Sequence, residues 1–297
     1  NKSLELSSNE EITHIERGEL YRKLGKEAEA LKDYTKALKL NPNNPESYYK
    51  RGWFYSTLGK YEKAIYDFDQ AIELEPDNAR SYYDRGYACY HIENYIKAED
   101  DYWKAIDIDP ENVMYYIELG RNYEAQGKLT TAIEVYNKAI EKDFFNEFAV
   151  LYRGKLWMQL FNFPNAIFDF TRLLELNSDN IEAKYYRGTV FTKMKLYDYA
   201  LRDFKAIIKV DPGYLDSMHA IAEIFFDTND LSTSLEYVDK ALNIDNKNWN
   251  SFVLRGLINE ELKNNNKAIE DFEKAIKINP ELYNDLDEKI KELKKKL

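Results

Sequence analysis

The sequence predicts an all-α fold, an α-solenoid of stacked antiparallel helical hairpins, and three observations carry that prediction. The pattern Tyr48-Tyr49-Lys50-Arg51-Gly52 returns 34 residues later as Tyr82-Tyr83-Asp84-Arg85-Gly86. Extending the same step places Gly18, Gly52, Gly86, Gly120, Gly154, Gly188, Ala222 and Gly256 at one repeat position. Proline keeps the same period, because Pro42, Pro76, Pro110, Pro212 and Pro280 share a second position near the end of the repeat. Self-similarity of this kind marks units that cannot bury an apolar face alone and must stack on their neighbours.

Eight units follow without insertion or deletion, at 11–44, 45–78, 79–112, 113–146, 147–180, 181–214, 215–248 and 249–282. Within each, positions 4, 7, 8 and 11 have the spacing of one helix face, as in Tyr48, Arg51, Gly52 and Tyr55. A glycine inside a helix costs about 1 kcal/mol relative to alanine. Its return at position 8 therefore points to a partner helix that leaves no room for a side chain. Gly25, Gly59 and Gly127 share position 15, where the first helix ends and glycine accepts the left-handed conformation; Asn229 suits the same geometry. Positions 20, 24 and 27 then mark the second helix, as in Ala64, Phe68 and Ala71, where one ring locks between small residues. Proline near position 32 stops that helix.

Gly at position 8, Tyr or Phe at 11, Ala at 20, Phe or Tyr at 24, Ala at 27 and Pro at 32 resemble the tetratricopeptide repeat, whose period is also 34 residues. The resemblance covers residues 11–282. It implies a right-handed superhelix whose first helices line a concave, ligand-binding groove. Departures fall at Phe144-Phe145, at Pro164, Leu173 and Ser178, and at Ala222, Ser234, Val238 and Asn246. Residues 1–10 are expected as a lead-in segment, and 283–297 as a C-terminal capping helix. Its apolar stripe is Leu282, Leu286, Ile290, Leu293 and Leu297.

Composition narrows the function. A formal net charge of −11 argues against nucleic acid as a partner. No apolar run reaches the length of a membrane span. The single cysteine, Cys89, falls at a core position, excludes an internal disulfide framework and favours the cytoplasm. An opening Asn-Lys-Ser-Leu-Glu, without Met or an apolar core, reads as a trimmed product whose targeting signal is gone. His14, His91 and His219 lie too far apart for a local metal motif, and no phosphate loop or HExxH occurs. Runs such as Glu99-Asp100-Asp101 read as solvated helix faces. No catalytic residue, metal or cofactor is expected.

By the resemblance, positions 2, 5, 9 and 12 of each unit, with 6 and 13 at the edges, form the ligand face. The candidate groove residues are Tyr49, Trp53, Tyr83, Tyr87, Tyr90, Ile117, Arg121, Leu151, Lys155 and Tyr185. Ligand contact is the preferred reading for Trp53, Tyr87 and Tyr90, and packing for Ile117 and Leu151; the position-5 tyrosines stay open. Seven basic and seven acidic residues balance this face through the sixth unit. The last two units hold Asp216, Glu223, Asp227, Glu260 and Glu261 with no Lys or Arg at the same positions, an acidic mouth. The arginines at position 7 are expected to be structural, their heads reaching carbonyls or carboxylates.

The expected function is a non-catalytic protein-interaction scaffold or adaptor. It would bind a peptide with apolar or aromatic anchors, basic toward the mouth. Two alternatives stay open: a targeting arm of a larger, enzymatic chain, and a sensor or carrier for a small molecule or glycan. Tails of heat-shock chaperones are not expected, because position 5 is never Lys and position 9 never Asn.

Overall fold

A computed structural model describes the backbone of residues 2–297 and the side chains of residues 10–297. The described residues are helical throughout, with short turns between helices and no strand. They fall into two compact units, Asn1–Arg153 and Gly154–Leu297.

The first unit contains α1 (Lys2–Lys23), α2 (Glu27–Leu40), α3 (Pro45–Thr57), α4 (Tyr61–Leu74), α5 (Ala79–His91), α6 (Tyr95–Ile108), α7 (Val113–Ala125) and α8 (Leu129–Lys142). Each odd-numbered helix packs on the next as a hairpin. α2, α4 and α6 also pack on the first helix of the following hairpin. The division between units falls inside α9 (Glu147–Gln159). The second unit continues with α10 (Phe163–Leu176), α11 (Ile181–Lys193), α12 (Tyr197–Val210), α13 (Leu215–Asp227), α14 (Leu231–Ile244), α15 (Trp249–Glu261), α16 (Asn265–Ile278) and α17 (Tyr283–Lys295). Residue 1 of the expected lead-in lies outside the described residues, and α1 extends back to Lys2.

The position-8 glycines sit against the ring at position 24 of the same hairpin. A Cβ added at Gly188 would lie 2.9 Å from the Phe204 ring, and one at Gly18 2.9 Å from Tyr34. Those distances are too short for real carbon atoms, so glycine is required for the helices to approach. Ala222 breaks the pattern and so does its partner, Val238, which replaces the ring with a smaller side chain. Both are fully buried, and Ser234 secures the crossing by donating to the Ala222 carbonyl at 2.7 Å.

The turn inside each hairpin adopts a left-handed residue at position 15 whatever the side chain. Gly25 has φ +70°, yet Phe161 has +58° and Lys195 +58°. Hairpin geometry therefore overrides local preference at that position. The next hairpin usually starts on an asparagine. Asn44, Asn78, Asn112, Asn180 and Asn248 accept backbone N–H bonds from the first turn of α3, α5, α7, α11 and α15.

The position-7 arginines are structural, as expected. Arg51 donates Nε and Nη2 to the two oxygens of Asp67, at 2.8 and 2.7 Å. Arg187 treats Asp203 in the same way, at 2.7 Å for both. Leu286, Ile290 and Leu293 of α17 are buried with the core of the last hairpins. Leu297 differs from its expected place in that stripe: it lies beyond the helix end and is 68% exposed.

Candidate functional site

The first helices α3 and α5 bring one row of aromatic residues to a common face. Trp53, on α3, and Tyr83 and Tyr87, on α5, are half-buried rings around an open cleft of about 500 Å³. Spacings of four residues put Tyr49 beside Trp53 and Tyr83 beside Tyr87 on their helices. Tyr61, from the start of α4, Ser56, Thr57, Gly59, Arg80 and Asp84 complete the lining. A smaller polar cleft of about 290 Å³ adjoins it across Tyr49 and Arg80.

Each ring has a distinct environment. Tyr49 is buried; its hydroxyl donates to Asp84 Oδ2 at 2.5 Å, and the Arg80 guanidinium lies 5.2 Å over its ring. Trp53 carries Arg22 4.8 Å over its ring. Tyr90 carries Arg121 at 5.8 Å and meets Tyr95 edge-on at 5.6 Å. Tyr83 leans on Tyr102 and Tyr115, with ring centres 6.1 and 5.1 Å away. His91 stacks on Tyr61 at 4.8 Å and meets Tyr87 edge-on at 4.4 Å.

Two carboxylates lie under this surface. Burial pushes the Asp84 and Glu118 carboxyls above the usual carboxylate range, against the stabilising influence of Tyr49 and Arg80 on the first and Arg121 on the second. Glu118 accepts two hydrogen bonds from Arg121 Nη1, each 3.1 Å. Burial, reinforced by Glu118 and Asp84, raises the Tyr83 hydroxyl. Burial, followed by Tyr61, Glu118 and Asp84, raises the Tyr87 hydroxyl. Below them the Tyr102 hydroxyl is buried without a hydrogen-bond partner. Tyr34 and Tyr136 at the equivalent positions donate to Glu19 and Glu124 of their own hairpins.

The remaining expected groove residues are placed differently. Ile117, 2% exposed, and Leu151 are buried among core side chains. Lys155 lies 4.9 Å over the Tyr186 ring and 3.7 Å from Glu182. Tyr185 is half-buried against Tyr186, Phe204 and Tyr214. The structure therefore brings Tyr49, Trp53, Tyr83, Tyr87, Tyr90 and Arg121 to one region of the first unit. Lys155 and Tyr185 belong to the second.

Asp216, Glu223, Asp227 and Glu261 are exposed. The mouth is less bare of basic partners than the sequence face suggests. Lys289 of α17 pairs with Glu260 at 2.9 Å, and His219 approaches Glu223 at 3.3 Å. Asp227 accepts from the Tyr197 hydroxyl at 3.2 Å. The capping helix supplies a charge that a count along the first helices does not include.

Cys89 is fully buried, and burial pushes its thiol up to about 11, away from nucleophilic use. Among the described residues no group of His, Cys, Asp and Glu is arranged to hold a metal ion. No described helix is long and apolar enough to cross a membrane. Tyr61 lines the cleft and His91 packs against it, and the first-helix face singled out neither. Tyr61 comes from a second helix, and His91 becomes visible only through its ring contacts.

Family models described as TPR repeat match residues 18–59, and those described as tetratricopeptide repeat match 45–78, 79–112, 115–143 and 250–282. Among curated proteins, none matches this chain. Solved structures share the fold. A tetratricopeptide repeat protein from Parabacteroides merdae is 23% identical with a TM-score of 0.63, covering 84% of this chain and 96% of its own. The C-terminal part of a TPR repeat-containing protein from Cytophaga hutchinsonii is 18% identical with a TM-score of 0.69, covering 80% and 97%. YrrB, described as a TPR protein with an unusual peptide-binding site, is 23% identical with a TM-score of 0.53, covering 62% and 95%. Repeat period, hairpin packing and family models agree, and this chain belongs to the tetratricopeptide repeat family.

Proposed function

We propose that this chain is a non-catalytic scaffold that holds a peptide segment of a partner protein on the face of its first helices. The cleft of Trp53, Tyr83 and Tyr87 would be its principal anchor point. One observation carries the reading: half-buried rings surround about 500 Å³ of open space that the chain's own side chains leave unfilled. Tyr and Trp in such positions supply contact area with little loss of conformational entropy, which is why they dominate binding hot spots. The fold is shared with a protein described as having a peptide-binding site, which supports the same class of ligand here. The exposed acids Asp216, Glu223, Asp227 and Glu261 favour basic residues in a segment bound at the second unit.

Selection from a random peptide library, run beside an oligosaccharide panel, tests this. Peptide binders that compete with one another for a single site are expected. Binding to the oligosaccharides alone would replace the scaffold with a glycan receptor.

A further inference from the structure

Resting on that scaffold reading, we propose that the cleft between α3 and α5 takes a cationic side chain of the partner segment. A lysine ammonium or arginine guanidinium would sit between the Tyr83 and Tyr87 rings and the free oxygen of Asp84.

Asp84 lines the cleft, and its side chain is 14% exposed. Both of its protein contacts land on the same atom. The Tyr49 hydroxyl donates to Oδ2 at 2.5 Å, and Arg80 Nε approaches Oδ2 at 3.8 Å. Among the described residues Oδ1 has no protein donor, so this cleft-lining carboxylate keeps accepting capacity that its own chain does not use. A ligand group that seals the cleft must supply that donor or leave a carboxylate oxygen dry, which is costly.

The rings point to the sign of the charge. This surface already accepts cations on its aromatic faces: Arg80 over Tyr49 at 5.2 Å, Arg22 over Trp53 at 4.8 Å and Arg121 over Tyr90 at 5.8 Å. Tyr83 and Tyr87 line the same cleft without such a cation among the described residues. Their negative ring faces and the nearby Asp84 and Glu118 carboxylates attract positive charge. Burial first, and then Glu118 and Asp84 among the nearby charges, raise the Tyr83 and Tyr87 hydroxyls, so both carboxylates act electrostatically on the rings.

An anionic anchor fits less well. Among the described residues the one cation lining the cleft, Arg80, has a side chain 67% exposed and already leans over Tyr49. An anion inside would face Asp84 directly. An aliphatic anchor would fill the space but leave Oδ1 without a donor. A cation meets both demands at once.

The test uses the full chain and a fluorescein-labelled peptide selected from a random nonamer library. Selected peptides are expected to share a Lys or Arg. Replacing that residue by Gln is expected to weaken binding about tenfold or more. The same replacement should cost less than about twofold against Asp84→Asn, because the partner charge is then gone. Tyr87→Leu should also reduce the discrimination, and it guards against Asp84→Asn acting through misfolding; circular dichroism checks both variants.

Binders without any basic residue overturn the proposal. So does a Lys-to-Gln penalty that persists undiminished in both variants. Either result leaves the scaffold reading intact if Trp53→Ala with Tyr87→Ala still abolishes binding. Failure to select any peptide removes both.

Discussion

Arg85 grips Asp101 through two parallel hydrogen bonds, Nε to Oδ2 at 2.9 Å and Nη2 to Oδ1 at 2.5 Å. Its third nitrogen reaches Asp69 of the preceding hairpin at 2.5 Å. One guanidinium thus ties α5 to α6 and to α4. Arg255 repeats the arrangement with Asp271 and Asp239. Where the arginine is missing, so is the aspartate: Leu119 faces Val135 and Ile221 faces Tyr237 at the same positions. The pair is kept or lost as a unit because half of it, buried alone, is an uncompensated charge.

Arg85→Leu is accordingly expected to destabilise the protein by about 3 kcal/mol, through the buried and unpaired Asp101. Adding Asp101→Val, which copies the Leu119 and Val135 combination, should recover most of that loss. Urea denaturation midpoints of wild type, single and double variants check it. A double variant as unstable as the single would deny that the unpaired charge is the cause.

Gly188 and Phe204 form a second coupled pair. Gly188→Ala is expected to cost about 1–3 kcal/mol, because its Cβ would press on the ring. Combined with Phe204→Val, which reproduces Ala222 over Val238, the loss should be smaller than the sum of the two single losses. A double-mutant cycle in thermal denaturation measures the coupling.

Phe161 holds φ +58° while 74% exposed. A bulky side chain in the left-handed region is strained, and the exposed ring offsets little of that cost. Phe161→Gly should therefore raise stability by up to about 1 kcal/mol. A rise in the melting temperature checks this, and a fall would show that the ring makes a stabilising contact.

Binding of a basic peptide should weaken in acid at a higher pH than an ordinary aspartate would dictate. Burial raises Asp84, so its proton returns above the usual value of about 3.9. The cation binds the ionised form; affinity should be flat near neutrality and fall as pH drops through the raised Asp84 value. His91, held low by burial and Arg121, also gains charge in acid and repels a cation. Glu118, also raised by burial, loses its charge in acid as well, whereas the hydroxyls of Tyr49, Tyr83, Tyr87 and Tyr115 are raised and stay neutral there. Asp84→Asn keeps the His91 and Glu118 contributions and removes that of Asp84. Affinity measured from pH 7 downward in both proteins separates the two, and identical profiles would exclude Asp84.

The fold was legible because its markers are consequences of close approach. Gly120 recurs in register with Gly86 since both meet a ring on the facing helix, and a period is visible without knowing the contact. The Arg85–Asp101 pairing was written in the sequence too, in the joint absence at Leu119 and Val135. It goes unnoticed when positions are read one helix at a time, because its members lie sixteen residues apart on different helices. The site was legible only in part. Counting along first helices finds Trp53, Tyr83 and Tyr87, and lists in the same row Ile117, for which packing is the preferred reading and which is buried. Asp84 counts as one surface charge in such a tally. Its buried setting and its single unused oxygen depend on Tyr49 and Arg80, which only the folded chain brings together.

The most direct measurement is the affinity of a library-selected peptide for Trp53→Ala with Tyr87→Ala, taken beside the helical content of the same protein. The cleft account predicts a loss of about tenfold or more with helicity unchanged. Unchanged affinity in a fully helical double variant would contradict it.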